Sequence, residues 1–296
     1  MNIKRRVSGM GAVAAKFMLM TGVGVVLSVL AGAQNGVLAQ GAGDLVIAPT
    51  RVVLEGRTRT AQLTLLNKGA ATATYRISAV NMRMEEDGTV REIDKPDPGQ
   101  KFADRLFRYS PRQVTLKPGA GQAIRILLRK PKDLADGEYR SHMIFRGVPD
   151  KAGESVEQGG AGDGIAVRLI PVYGISIPVI VRHGKTSANV SLTDLNIAAP
   201  DKTNKLPRLK FKINRDGSRS AFGDITATFK PDSGSEVIIG QIMRLAIYSP
   251  NAHRTVELLL RVPDGVALKG GKINLSYNKI SDEGGKLISQ AEMVVQ

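Results

Sequence analysis

The sequence predicts an all-β protein in which two immunoglobulin-like β-sandwich domains follow each other in tandem after a signal peptide. Short runs of alternating apolar and polar residues recur along almost the whole chain, separated by turn signals rich in Gly, Pro, Asn and Asp. No run shows a convincing helical period. The pattern restarts near residue 184, and the 296 residues are enough for two domains of ordinary size.

The first 40 residues have the composition of a secretory signal peptide. Four basic residues between Lys4 and Lys16 precede an apolar run at 17–30, and small residues follow, with cleavage expected near 33–39. A single membrane anchor is the alternative, because the run with its flanks approaches spanning length. Its glycines, its small-residue end and the absence of a flanking charge cluster favour cleavage. We therefore expect an exported protein.

Composition narrows the classes of partner. A formal charge of +15 is compatible with nucleic acid, an anionic membrane surface or acidic proteins. The basic residues are spread along the strands and only 4% of the residues are aromatic, so stacking platforms for bases are scarce. We therefore expect no nucleic-acid partner. Because the chain has no cysteine, its stability must come from a hydrophobic core rather than from disulfides.

No motif in the sequence indicates an enzyme, a metal site or a cofactor. The histidines His142, His183 and His253 are scattered and lack the spacing of metal ligands. The glycine-rich segment Gly159–Gly164 lacks the lysine and the following helix of a phosphate-binding loop, which favours a flexible loop. The acidic segment Glu85–Gly88 is too short for a calcium loop and is typical of a hairpin turn.

The first domain is predicted over residues 44–183. Turns such as Lys117–Gly121 and Asp133–Gly137 separate runs of period two, and the basic residues that alternate with apolar ones, such as Arg140 and His142, are predicted to face water. Inward candidates include Leu63, Leu65, Tyr75, Ile77, Ile124, Ile126, Met143 and Phe145. The predicted strands are Leu45–Leu54, Arg59–Asn67, Thr72–Met82, Thr89–Ile93, Leu106–Leu116, Gln122–Arg129, Glu138–Gly147 and Ile165–Arg182.

The second domain is predicted over residues 184–296. Turns such as Arg215–Gly217 and Asp282–Gly285 again separate short runs, and seven strands of this kind are typical of a second sandwich. The two domains show no sequence repeat. The predicted strands are Ala188–Asn196, Leu206–Asn214, Phe222–Phe229, Glu236–Tyr248, Thr255–Val262, Gly271–Tyr277 and Lys286–Val295.

The run Ile165–Arg182 differs from the other strands because it is long and apolar on both faces. One interpretation is a central strand, or a strand bridging the two domains, that is buried on both sides. The other is an edge strand that pairs with another protein, since free backbone groups and apolar side chains at an edge recruit other chains. The preceding loop, Asp150–Gly164, is polar enough to present such a strand. The residues themselves leave both interpretations open.

A motif in the first domain carries a family likeness. Ser110-Pro111 is followed by Leu116-x-Pro-Gly-x-x-Gln-x-x-Arg-Ile126, and a hairpin with a closing Val148-Pro149 comes after it. This pattern resembles PapD-like periplasmic pilus and fimbrial assembly chaperones, as a divergent branch, over residues 49–182 and only weakly beyond. The resemblance implies a periplasmic location, pilin-like surface-fibre subunits as clients, and an outer-membrane usher as a further partner.

The resemblance also implies an anchor for the client's C-terminal carboxylate. In the family an arginine in a Thr-Arg pair near the mature start holds this carboxylate, and Thr50-Arg51 matches that pair. A guanidinium suits the role because it grips a carboxylate through two hydrogen bonds; a solvated strand arginine is the alternative. The family's second anchor is a lysine on the last strand, and Ser176 stands at the matching position, so the anchor is expected to be weaker.

Two further sets of residues take roles from the resemblance. Glu138 and Arg182 match a charged pair near the domain junction, which would set the angle between the sandwiches more than it would add stability. The donor strand offered to the client is expected to include a short apolar series, although its proline removes one backbone N–H. That series is Val167, Leu169, Pro171 and Tyr173.

These observations predict a periplasmic chaperone that caps fibre subunits by donating an edge strand, without any cofactor. One alternative is an exported structural or adhesive sandwich protein without chaperone activity, and another is a basic sandwich that binds anionic polysaccharide. Self-association of the free protein through its edge strand is also left open by the apolar character of the run Ile165–Arg182.

Overall fold

The computed structural model describes residues 44–149, 156–157, 168–169 and 173–296, with only the backbone for 156–157 and 168–169. The predicted signal segment at 1–40 lies outside the described residues. So do Val167 and Pro171 of the predicted donor strand.

The first part of the chain folds into two sheets that face each other. One sheet has the order β1-β3-β9-β7, and the other has the order β2-β13-β10-β4-β8. Two short antiparallel pairs, β5 with β6 and β11 with β12, complete this part. The strands are β1 (Leu45–Ala48), β2 (Val52–Leu54), β3 (Thr60–Asn67), β4 (Ala73–Val80), β5 (Met82–Met84), β6 (Val90–Glu92), β7 (Phe107–Ser110), β8 (Gln113–Leu116), β9 (Gly121–Leu128), β10 (Gly137–Val148), β11 (Val156–Glu157), β12 (Arg168–Leu169) and β13 (Gly174–His183).

Prolines divide two of the strands that the sequence predicted as continuous. The predicted strand Leu45–Leu54 becomes β1 in one sheet and β2 in the other, with Pro49 between them. The predicted strand Leu106–Leu116 likewise becomes β7 and β8, in opposite sheets, with Pro111 between them. Proline cannot donate to a ladder of backbone hydrogen bonds, so each strand ends there and the chain changes sheet.

The inward residues predicted for the first sandwich form its core, as expected from period-two alternation. Side chains from both sheets meet in one apolar cluster, which fills the space between them. The cluster includes Leu63, Leu65, Tyr75, Ile77, Ile124, Ile126, Met143 and Phe145, all at most 5% exposed.

The second part of the chain forms a second pair of sheets, with the orders β14-β15-β18 and β17-β16-β19-β20. A separate apolar core that includes Phe211, Phe229 and Tyr277 lies between these sheets. One short 3₁₀ turn at Ser281–Glu283 interrupts the strands. The strands are β14 (Asn189–Ala198), β15 (Arg208–Asp216), β16 (Ala221–Pro231), β17 (Val237–Ile247), β18 (His253–Leu259), β19 (Gly271–Asn278) and β20 (Leu287–Val295).

The prediction that Arg140 and His142 face water is wrong. Each residue is only 3% exposed, because the second sandwich covers this face of β10. The ring of Tyr248 lies 4.2 Å from the Arg140 guanidinium carbon and meets the His142 ring edge-on. A small apolar cluster of Met84, Ile180, Ala246 and Tyr248 closes the contact between the sandwiches.

The all-β fold with two tandem sandwiches is therefore confirmed. Within the described ranges, the structure has no helix with the length and apolar character needed to cross a membrane. The division of the chain at residues 183 and 184 stays a prediction.

Candidate functional site

Arg51 lies in the cleft between the two sandwiches. It directly precedes β2, whose first residue, Val52, is aligned with Val179 of β13 in a parallel pair. The Arg51 side chain is only 9% exposed, and its guanidinium carbon lies 4.2 Å from the centre of the Phe222 ring. Its Nη1 atom is 4.0 Å from Oε1 of Glu283, on the 3₁₀ turn of the second sandwich.

The charge of Arg51 is poorly satisfied in the free protein. Its Nε and Nη2 atoms are buried and find no hydrogen-bond partner among the described residues. Burial lowers the pKa of the guanidinium, which the nearby Tyr248 and Glu138 offset only in part. A buried donor without an acceptor costs about 1–3 kcal/mol, and more when it is charged. An arginine in this state favours binding of an anion.

A cavity of about 340 Å³ opens beside Arg51. Residues from both sandwiches form its walls. The basic members are Arg51, Arg182, Arg219 and Lys279, and the acidic member is Glu283. Phe222, Val190 and Ile288 contribute apolar surface, so the cavity combines positive charge with an apolar wall.

The structure brings Glu138 and Arg182 together on neighbouring strands β10 and β13. The Nε atom of Arg182 donates a hydrogen bond to Glu138 at 3.0 Å, and its Nη1 atom donates to Glu55 at 2.9 Å. Although burial alone would lower the pKa of Arg182, these two carboxylates raise it. Arg182 is thus already neutralised within the first sandwich.

Glu138 also reaches the second sandwich. The Glu138 Oε1 atom accepts hydrogen bonds from both the backbone N–H and the hydroxyl of Ser220, and the Ser220 hydroxyl in turn accepts one from the backbone N–H of Ser249. The Glu138–Arg182 pair therefore lies in a buried network that joins the sandwiches.

Ser176 is not among the residues that line the cavity of Arg51. It is half-buried on β13, opposite Ile144 of β10. Its hydroxyl donates to the sulfur of Met82 at 3.5 Å, a weak contact. The structure thus places the two predicted anchor residues in different surroundings.

Strand β13 has two halves with different neighbours. Its last part, Val179–Val181, pairs with β10 on one side and β2 on the other. Its first part, Gly174–Pro178, pairs with β10, and no other described strand pairs with its opposite edge. Ile177 on this part is buried in the first core. Tyr173, four residues earlier and of the same parity, is 54% exposed.

The rest of the predicted donor strand is described only at Arg168–Leu169. The backbone of Leu169 pairs with Val156 in the short β11–β12 ladder. Val167 and Pro171 lie outside the described residues, so their roles stay predictions.

Sequence reasoning missed the contribution of the second sandwich to this cleft. Arg219, Phe222, Lys279 and Glu283 follow Arg51 by more than a hundred residues, and only the packing of the two sandwiches brings them together. No local pattern marks them, since each lies at or near the end of an ordinary strand.

Two further features of the described residues lie outside this cleft. Across the ranges that the structure describes, no three His, Asp or Glu side chains are grouped to hold a metal ion. A second cavity, of about 650 Å³, lies on the outward side of β3, β7 and β9 and is lined by Arg108, Arg125 and Leu127, away from the cleft.

Comparisons with known proteins agree with this fold. The family described as "Pili and flagellar-assembly chaperone, PapD N-terminal domain" matches residues 44–182. No curated protein sequence matches the chain significantly.

Several solved structures of chaperones are similar to this chain at low sequence identity. The E. coli chaperone DraB is 16% identical, with 85% of this chain and 96% of that one covered and a TM-score of 0.40. The CupB2 chaperone of Pseudomonas aeruginosa is 13% identical, with 85% and 100% covered and a TM-score of 0.39. A chain of the CsuC–CsuE chaperone–tip adhesion subunit complex of Acinetobacter baumannii is 13% identical, with 85% and 97% covered and a TM-score of 0.39.

The family match confirms the resemblance that the motif from Ser110 to Pro149 indicated. It covers the whole first sandwich, including Arg51, Glu138 and β13 up to Arg182. Over residues 44–182 the chain is therefore similar to the N-terminal domain of PapD-like pilus- and flagellar-assembly chaperones.

Proposed function

We propose that this protein is a periplasmic chaperone that binds pilin-like fibre subunits and prevents their aggregation by donating strand β13 until an outer-membrane usher receives them. The match of residues 44–182 to a chaperone family supports a non-enzymatic role in pilus assembly. The observation that carries the donor-strand mechanism is the position of Arg51 at the point where β13 loses its second neighbour.

The free edge of β13 offers backbone pairing to a client. Residues Gly174–Pro178 pair with β10 alone among the described strands, so their other edge is available for strand addition. A client strand in this position would lie in line with β2. Such pairing fixes a client through its backbone, and alternate side chains add selectivity.

The position of Arg51 favours one direction for the client strand. Strand β2 runs parallel to β13, and Arg51 directly precedes it. A client strand that also ran parallel to β13 would bring its C-terminus, a carboxylate, to Arg51. The opposite direction would bring a cationic N-terminus or a chain continuation to a buried guanidinium, which is unfavourable. A free C-terminal strand is therefore the best fit.

Apolar side chains of the donor strand would replace part of the client's core. Ile175 and Ile177 already pack in the first core, and Tyr173 continues the same parity into solvent. Leu169 and Val167 continue this parity further along the sequence. Each large apolar side chain that a client buries contributes roughly 1.5–3 kcal/mol. This interaction needs no cofactor, and a displacing subunit strand can reverse it.

Co-expression with candidate fibre subunits, followed by co-purification, tests the function. We expect the wild type to retain a subunit, and the Arg51→Ala, Leu169→Glu double variant to lose it. Arg57→Ala and Leu127→Glu change an exposed arginine and an exposed leucine elsewhere in the first sandwich and serve as matched controls. Equal recovery with the wild type and the double variant would reject the mechanism and favour a structural or adhesive role.

A further inference from the structure

The cleft contains more positive charge than its own carboxylates neutralise. Of its four basic residues, Arg182 is held by Glu138 and Glu55 in the first sandwich. The acidic side chain in the cavity wall, Glu283, is 4.0 Å from Arg51 and 48% exposed, so it compensates Arg51 only weakly. Within the described residues, no ion pair neutralises the other two basic residues, Arg219 and Lys279.

The Arg219 side chain is half-buried and has no ion pair or hydrogen bond with any residue that the structure describes. Its backbone, in contrast, is fixed. The Arg219 N–H donates to the carbonyl of Ser187 at 3.1 Å, and its carbonyl accepts a hydrogen bond from Arg215 at 3.0 Å. Burial would raise the pKa of Glu55, but the hydrogen bond and charge of Arg182 lower it, and the charge of Arg219 adds to this lowering. The backbone thus holds the Arg219 guanidinium at the cavity, where its charge can meet an anion.

Lys279 is placed in a similar way on the other side of the cavity. Its backbone N–H donates to the carbonyl of Lys286 at 2.8 Å, which closes the turn between β19 and β20. Lys279 is half-buried as a residue, and its ammonium makes no ion pair in the described part of the chain. The second sandwich therefore supplies two cations that face the same cavity as Arg51.

We propose that Arg219 and Lys279 of the second sandwich, rather than Ser176, complete the carboxylate site that Arg51 begins. Ser176 does not line the cavity, and its hydroxyl contacts Met82. This proposal rests on the function proposed above, since its ligand is the C-terminal carboxylate of a client strand. It implies that client binding engages both sandwiches at once.

The apolar wall of the same cavity adds a preference for the last side chain of the client. The ring of Phe222 lies under the Arg51 guanidinium, and Val190 and Ile288 lie nearby in the wall. A carboxylate held by Arg51, Arg219 and Lys279 would bring its own residue's side chain to this surface. The site therefore favours an apolar terminal residue over a charged one, because a charge would lose hydration without a partner.

Binding of a synthetic peptide to the full-length mature protein tests the proposal. The probe is an acetylated peptide of alternating Thr and Val that ends in Phe, made once with a free carboxylate and once as the amide. For the wild type we expect the acid to bind about tenfold more tightly than the amide, since a hydrogen bond to a charged group is worth about that much. Arg219→Gln and Lys279→Gln should each reduce this ratio about threefold.

Matched controls separate a local effect from a general one. Arg219→Lys should restore most of the ratio, whereas Lys230→Gln, which removes an exposed charge outside the cavity, should leave it unchanged. Ser176→Ala should also leave it unchanged. Circular dichroism and thermal unfolding of each variant show that the fold is kept.

The outcomes distinguish this proposal from the proposed function. If Arg51→Ala abolishes the acid–amide ratio while Arg219→Gln and Lys279→Gln keep it, the second-sandwich anchor is wrong and the chaperone function stands. A large effect of Ser176→Ala overturns the proposal in the same way. If the wild type binds acid and amide equally, both the carboxylate site and the proposed mechanism fail.

Discussion

The Oε1 atom of Glu138, on β10 of the first sandwich, accepts a hydrogen bond of 3.1 Å from the backbone N–H of Ser220, which directly precedes β16 of the second sandwich. The other carboxylate oxygen of Glu138 accepts a hydrogen bond from Nε of Arg182 at 3.0 Å. One buried carboxylate thus joins β10, β13 and the second sandwich. Its environment makes it a structural link rather than a ligand-binding group.

Glu138→Ala should lower the free energy of unfolding by about 3–5 kcal/mol, because it leaves Arg182 buried without its main partner. Glu92→Ala is the matched control, since Glu92 pairs with Arg146 on the exposed surface at 2.9 Å and should contribute no more than about 1 kcal/mol. Chemical denaturation of both variants measures the difference. Similar small losses for both would show that the buried network adds little.

Arg51→Met should abolish subunit retention and yet raise the stability of the free protein. The buried Nε and Nη2 atoms of Arg51 have no partner in the described residues, and replacing an unsatisfied buried charge by an apolar side chain is often stabilising by about 1–4 kcal/mol. Thermal unfolding and co-purification of the same preparation check the two effects. A loss of both stability and binding would instead assign Arg51 to the structural framework.

Glu283→Gln should strengthen binding of the free-acid peptide by about two- to fivefold, as expected for removal of a weak, half-exposed pair. Its carboxylate faces Nη1 of Arg51 at 4.0 Å and competes with a client's carboxylate for the same guanidinium. Asp282→Asn, on the same turn but outside the cavity wall, is the control. Unchanged or weaker peptide binding by Glu283→Gln would contradict this competition.

His142 should make the protein less stable in acid. Burial, and then the charge of Arg140, lower its pKa to about 3, so below the usual value of about 6.5 the unfolded chain binds a proton that the folded chain does not. Stability from this group is fully present above about pH 6.5 and decreases by about 1.4 kcal/mol for each pH unit below it, until about pH 3.

Denaturation curves of the wild type and His142→Gln at several pH values between these limits check the slope. The variant has no proton to gain at this position, so its stability should depend less on pH, whatever its absolute value. Parallel slopes for the two proteins would show that His142 does not titrate on unfolding.

Local patterns predicted most of the strands because alternation and turn residues are properties of neighbouring residues. The strands of the second sandwich lie within a few residues of their predicted bounds, and the inward set of the first sandwich is buried as expected. The two divided strands show the limit of this reasoning. Alternation is present on both sides of Pro49 and Pro111, but the buried positions change from odd to even there, and the missing N–H ends the ladder.

The candidate site was predictable only where a family motif marked it. The resemblance identifies Thr50-Arg51 and Glu138 in the sequence. It does not predict the burial of Arg140 and His142, because basic residues at alternate positions give the same sequence pattern whether water or another domain covers them. The positions of Arg219 and Lys279 at the cleft depend on the packing of two sheets that are built from distant segments. Such positions follow from tertiary structure and not from any local period.

In the proposed function, the short strand β2 limits which clients the cleft would accept. Because β2 begins at Val52 opposite Val179, it fixes how far along β13 an added strand can extend before its end meets Arg51. The cleft would thus select clients by the position at which their last strand ends. Subunits with different sequences could share one chaperone if their last strands end in the same register, whereas an added C-terminal residue would move the carboxylate out of register with Arg51.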